Sequence, residues 1–186
     1  MKDREFTIED GYQILICFMP EFWWNCLKGV MIEKGLITDG MRPEELEQAS
    51  AEEKVKHKIY RANSFVFDTV TSDLGGCGDY LEDIIEEKLG IPLKKQHEGL
   101  RVKEDRLFQL VIDWCHYFKK KFEEPPEDYA RDSLDFAIDW LEDMRRHPQQ
   151  HQKEWDMWEA SIENILSGDK KWCYSAFSTH ITGENP

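Results

Sequence analysis

Apolar positions recur along this chain at the three-and-four spacing of α-helices over most of its length. Ile8, Tyr12, Leu15 and Met19 open the series, with Thr7 placed to cap the first turn and Glu9 and Asp10 to complement its dipole. Pro20 predicts an interruption, after which EFWWNCLKGVMIEK resumes as a second helix that stops at Gly35. Phe22, Trp23, Trp24 and Leu27 are apolar on nearly every side, which predicts deep burial. LITDGMRPEELEQAS reads as a turn followed by a short helix opened by Pro43, and Ser50 with Glu53 forms a capping-box pattern. Val55, Ile59, Ala62, Val66 and Val70 then line one helical face, although SFVFDTVTSD at its end is β-branched enough to read as strand.

The glycines of LGGCGDY break the pattern, but no Lys-Ser/Thr follows and no G-x-G-x-x-G spacing is present, so this is not a phosphate loop. DYLEDIIEEKLG predicts a short helix closed by Gly90, and IPLKKQHEGLRVKED a polar connector. The strongest helical pattern runs from about Lys103 to Glu123, with Leu107, Leu110, Val111, Trp114, Phe118 and Phe122 on one face. Pro125 and Pro126 end it and open a helix reaching Arg146; Pro148 opens a last one through Leu166, carrying Trp155, Trp158 and Ile162 and closed by Gly168. Trp172, Tyr174 and Ala176 alternate, which predicts a strand or arm over residues 172–177. Short Pro-marked connectors favour antiparallel neighbours, and no fixed repeat period supports a solenoid. The expected fold is therefore mostly all-α: one domain over residues 1–186, an irregular bundle of about six to seven helices.

Composition adds a charge constraint. The chain has 186 residues, 12% of them aromatic, and 38 acidic against 24 basic side chains, a formal net charge of −14. Residues 1–93 hold 19 acids and 10 bases and residues 94–186 hold 19 and 14, so the acidity is spread through the fold. Such a field disfavours DNA, RNA and anionic lipid and speeds encounter with basic proteins, although it also serves plain solubility. Cys17, Cys26, Cys77, Cys115 and Cys173 are odd in number and widely spaced without a C-x-x-C pair, which predicts neither a disulfide framework nor a zinc site. A reducing compartment follows from that reading. The acidic start of the chain is unlike a signal peptide, and the uncharged run Gly11 to Pro20 is far shorter than a membrane span. The expectation is a cytoplasmic protein.

The pattern that asks most of a helix lies in PEDYARDSLDFAIDWLEDMRR. Asp128, Asp132, Asp135 and Asp139 recur at four, three and four, sharing one face, with Glu142 and Asp143 extending the series. Ala130, Leu134, Ala137, Leu141 and Met144 make the opposing apolar stripe. Asp is a poor residue for helix interiors, and like charges at these spacings repel, so the row breaks local rules in the way functional sites do. It reads either as a face for a basic partner or as a solvated face paired internally with Lys119 to Lys121, Arg145 or Arg146. Asp79, Glu82, Asp83, Glu86 and Glu87 form a second acidic patch.

Catalytic chemistry finds little support. His147, His151 and Glu154 at i, i+4 and i+7 are a metal-ligand hint that Pro148 weakens, and Glu53 with His57 is a weaker one. Cys115 and His116 point apart on a helix, and no G-x-S-x-G element occurs. Trp23 with Trp24 and Trp155 with Trp158 read as core before interface. The expectation is a non-enzymatic binding or inhibitor protein without catalytic residues, metal or cofactor. It would contact a basic protein, such as a toxin or nuclease, through Asp128, Asp132, Asp135 and Asp139, with Asp79, Asp83 and Glu86 second. Small acidic bacterial immunity proteins and other nuclease inhibitors share these physical traits; the analogy is one of composition, carried by no motif. The rival readings are a metal-dependent helical enzyme using the Asp row or His151 with Glu154, and a helical scaffold that associates with another chain or its own copy.

Overall fold

The structure is a computed structural model that describes residues 1–38, 40–61, 87–88, 90, 99–121 and 128–168, with the backbone alone at 24, 118, 121 and 128–133. Helices dominate these residues, as the periodicity predicts. Thr7 Oγ1 accepts the Asp10 amide proton at 3.1 Å and starts α1, Ile8–Glu21. Pro20 does not break this helix. The chain continues as a π-helical segment, Phe22–Leu27, and then as α2, Lys28–Glu33. Proline removes an amide donor and pushes on the carbonyl one turn back; here the hydrogen-bond register widens immediately after it, with the Lys28 amide reaching back to the Trp23 carbonyl. Continuity is worth keeping because Phe18, Phe22, Trp23 and Leu27, on both sides of the change, are all at most 1% exposed.

Two short helices follow: α3, Pro43–Gln48, and α4, helical over residues 51–61. Ser50 and Glu53 form the expected capping box, with Ser50 Oγ accepting from the Glu53 amide at 3.2 Å and Glu53 Oε2 accepting from the Ser50 amide at 2.8 Å. The expected apolar face of α4 is less buried than its spacing predicts: Val55 is 44% exposed and Ile59 half-buried. The remaining members of that stripe, the 172–177 arm and the second acidic patch except Glu87 lie outside the described residues.

Residues expected to form a polar connector instead supply a strand. β1, Glu5–Thr7, pairs antiparallel with β2, Arg101–Lys103, with Phe6 opposite Val102. This ribbon ties the N-terminus to the start of α5, Glu104–Lys121. Gly11 in α1 permits the close approach, since a Cβ there would lie 3.1 Å from Val102 Cγ1 and 3.3 Å from Leu107 Cδ1. Helix α6, Asp128–Arg146, packs most extensively on α5, whereas α7, Gln152–Leu166, packs mainly on α1. Pro148–Gln150 forms a 3₁₀ turn between α6 and α7, so the last helix begins at Gln152 and not at Pro148.

The core gathers where α1, α5 and α7 meet. Trp158 presents its edge to Phe18 at 4.9 Å and to Phe108 at 5.3 Å between ring centroids. Leu107, Leu110, Val111, Trp114 and Ile162 are buried as expected, but Leu166 is 59% exposed and not part of the core. Cys26 and Cys115 are free thiols, whereas Cys17 is disulfide-bonded, which corrects the expectation that no cysteine is cross-linked. It also removes the argument from cysteine usage for a reducing compartment. Among the described residues no helix is long and apolar enough to cross a membrane.

One ion pair sits inside this core. The Glu104 side chain is fully buried; Arg4 Nε donates to its Oε2 at 2.6 Å and Trp158 Nε1 to its Oε1 at 3.2 Å. The remaining Arg4 nitrogens bond Glu159 at 2.9 and 2.8 Å, so one guanidinium joins the N-terminal strand to α5 and α7. The bond to Glu104 raises the Arg4 pKa despite the opposing cost of burial. Removing one partner strands a buried charge, so Arg4→Ala is expected to lower the unfolding free energy by about 3 kcal/mol in urea titration. Adding Glu104→Gln should recover part of the loss; a double variant no more stable than Arg4→Ala would refute the stranded charge as the cause.

Candidate functional site

Helix α6 carries the carboxylate row, and its inner face explains its position. Leu134, Ala137, Leu141 and Met144 are 0% exposed, so the apolar stripe is locked against the core and the opposite face is held toward solvent. Asp128 and Asp132 are helical at the expected spacing. Asp135 is half-buried and paired with Lys119 of α5. Asp139 is exposed and has no cation partner among the described residues. Further along, Glu142 pairs with Arg146 at 3.0 Å, and Asp143 Oδ2 lies 2.7 Å from His151 Nε2. Internal pairing therefore takes up part of the series, through Lys119 and Arg146, while Arg145 turns to Gln109 Oε1. Asp79, Asp83 and Glu86 are outside the described residues; Glu87 pairs with its neighbour Lys88 at 3.1 Å.

A buried polar chain that the sequence did not reveal starts at the same end of α6. His151 and Glu154 are 4% and 6% exposed, and His151 Nδ1 lies 3.9 Å from Glu154 Oε2. The Cys26 thiol, in the π-helical segment, donates to Glu154 Oε1 at 3.1 Å. Trp140 meets the His151 ring edge-on at 4.8 Å. Asp143 with His151 thus joins α6 to the turn before α7, and Cys26 with Glu154 joins the π segment to α7; between the two pairs His151 Nδ1 makes no hydrogen bond among the described residues. His147 is not part of this set: its ring is exposed, 3.8 Å from Asp143, because the chain leaves helical geometry between residues 147 and 151. The i, i+4, i+7 metal hint fails on that break, and no group of His, Cys, Asp or Glu among the described residues is arranged to hold a metal ion. What the sequence offered was only His151 with Glu154; their third member, Cys26, lies over a hundred residues away.

Reactivity follows from burial. Desolvation, reinforced by the bond to Glu154, pushes the Cys26 thiol up to about 12, and burial likewise pushes Cys115 to about 12. Both stay protonated near neutral pH, and neither is a nucleophile. They should resist a thiol-specific aromatic disulfide reagent in the native protein and react after unfolding in urea; prompt native labelling of Cys26 would contradict the burial described here.

The bond from His151, with help from nearby cations, holds the Asp143 carboxyl below its ordinary 3.8. A depressed carboxylate pKa stabilises the folded state above the ordinary value, and the contribution is lost as pH falls through the lower folded value. Asp143→Asn is therefore expected to melt lower than wild type near neutral pH, with the gap closing as pH drops below 3.8. A gap that stays constant through acid would contradict the linkage. Compared with known protein families, with curated proteins and with solved structures, the chain matches none, and the site is read from its own geometry.

Proposed function

We propose that this chain is a non-enzymatic binding protein that docks a basic protein on the solvent face of α6, in the manner of an inhibitor or immunity protein. The observation that supports this reading is Asp139, exposed and without a cation partner among the described residues, on a helix whose inner face is packed in the core. Asp128, Asp132 and Asp135 recur on the same helix at spacings that stack them with it. A charged face on a rigid support loses little freedom when a partner arrives. The overall charge of −14 adds long-range attraction for a cationic cleft, such as that of a nuclease or another nucleic-acid-handling protein. Pairing with Lys119 narrows the role of Asp135, since its partner must compete with an internal cation.

The test compares wild type with Asp132→Asn/Asp135→Asn/Asp139→Asn in pulldowns from native lysate at low and high salt. A basic partner captured by the wild type at low salt should be released at high salt and held at least about tenfold more weakly by the triple variant. The melting temperature should change by only a few degrees, because the described ion pair that the change removes, Asp135 with Lys119, is partly exposed. Recovery of the same partners by the triple variant would sink the proposal.

A further inference from the structure

Residues 54–61 read KVKHKIYR: four cations, a histidine and no acid, inside a chain of net charge −14. They lie in α4, where Lys54, His57, Lys58 and Arg61 fall at i, i+3, i+4 and i+7 and share a face. Cations at those spacings repel one another. The repulsion is not relieved within the described structure. Lys58 and Arg61 have no ion-pair partner among the described residues, and Lys54 donates only to the Glu47 backbone carbonyl, at 3.3 Å. The acids at the start of α4 are committed elsewhere, Glu53 to the Ser50 amide at 2.8 Å and Glu52 to Lys56 at 2.8 Å.

This cationic face borders a groove of about 660 Å³ between α3 and α4, lined by Pro43, Leu46, Glu47, Lys54, His57 and Lys58. Its two sides differ. Pro43 and Leu46 supply an apolar wall from α3, while Lys54 and Lys58 supply charge from α4. His57 Nδ1 is buried and has no hydrogen-bond partner among the described residues. A second concavity, about 330 Å³, is lined by Glu87 and Asp113 against Lys88 and Lys120, so its charges cancel.

We propose that the α3–α4 groove binds a small organic anion, a phosphate or carboxylate carried on an apolar ring or chain. Its volume falls in the range of roughly 300–1,000 Å³ typical of small-molecule sites. The anionic head belongs beside Lys54 and Lys58, away from the Glu47 carboxylate, and the apolar part against Pro43 and Leu46. Compact ammonium charges suit either head group. A nucleic acid does not fit: a polyanion meets the field of the whole chain, whereas one or two charges at the groove are governed by the local cations.

The test is NMR titration of the full chain with phenyl phosphate and, separately, benzoate, following the amides of residues 52–61 and the His57 ring. Inorganic phosphate and benzyl alcohol serve as the head-only and ring-only probes. At least one of the two aromatic anions should give saturable shifts confined to α3 and α4, and bind more tightly than either half-probe. Lys54→Gln/Lys58→Gln, at two exposed positions, should weaken that binding about tenfold while leaving the remaining amide spectrum unchanged. Saturation by phenyl phosphate alone assigns a phosphate head, and by benzoate alone a carboxylate. No saturable shift from either anion, or equal binding by the double variant, overturns the proposal.

Discussion

The carboxylate of Glu104 is the group on which the arrangement of this fold turns. It lies at the first residue of α5, where the positive end of the helix dipole favours a negative charge, yet it is removed from water. Such a burial is tolerable only when every oxygen is satisfied, and Arg4 and Trp158 provide for both. Because Arg4 belongs to the segment before β1 and Trp158 to α7, satisfying this one charge fixes the N-terminus, the start of α5 and the middle of α7 relative to one another. The β1–β2 pairing and the Glu104 amide bond to the Arg4 carbonyl, 3.0 Å, repeat the constraint through the backbone. The aromatic contacts of Phe18, Phe108 and Trp158 supply the bulk of the burial, but they are non-directional by comparison.

What could be read from the sequence was local. The apolar stripe of α6 is an i, i+3, i+4 pattern, and Leu134, Ala137, Leu141 and Met144 are all inside; the Ser50–Glu53 capping box is likewise a four-residue signal. What could not be read depends on distant partners. Three-residue strands are too short to show period two, and each exists only because the other lies beside it, across nearly a hundred residues. Glu104 and Arg4 look like surface charges until the tertiary fold brings them together. At Pro20 the local rule was sound in predicting a disturbance. The chain absorbed it by widening one turn, because a true break would have withdrawn Phe22 and Trp23 from the core.

The same distinction governs the acidic helix. Spacing alone placed the row on one face but could not say which carboxylates would find cations. Asp135 and Asp143 acquired Lys119 and His151 through packing of α5 and through the turn after α6, whereas Glu142 pairs with Arg146 one turn along α6 itself. These pairings concentrate the unneutralised charge toward Asp139, the one member with a described side chain that is exposed and lacks a cation. The row is thus not a uniform stripe: Asp139 faces water between carboxylates that are paired within the fold, Asp135 on one side and Glu142 and Asp143 on the other.

That unevenness bears on how two opposite surfaces coexist in one acidic chain. A net charge of −14 would draw any free cation on the molecule into an internal pair if geometry allowed. Lys119 and Arg146 behave in that way, each within reach of an α6 carboxylate. Lys54 and Lys58 do not, because α4 spends its own acids on its cap and on Lys56, and α3 presents Lys54 a backbone carbonyl in place of a carboxylate. Keeping four cations together on α4 costs stability locally, just as an Asp row does on α6. Both features run against the helix that bears them, and each keeps members without an ion-pair partner among the described residues, Lys58 and Arg61 on α4 and Asp139 on α6. Neither the capping of these helices nor the packing of their inner faces requires that choice; binding at the two faces, as proposed above, would account for it.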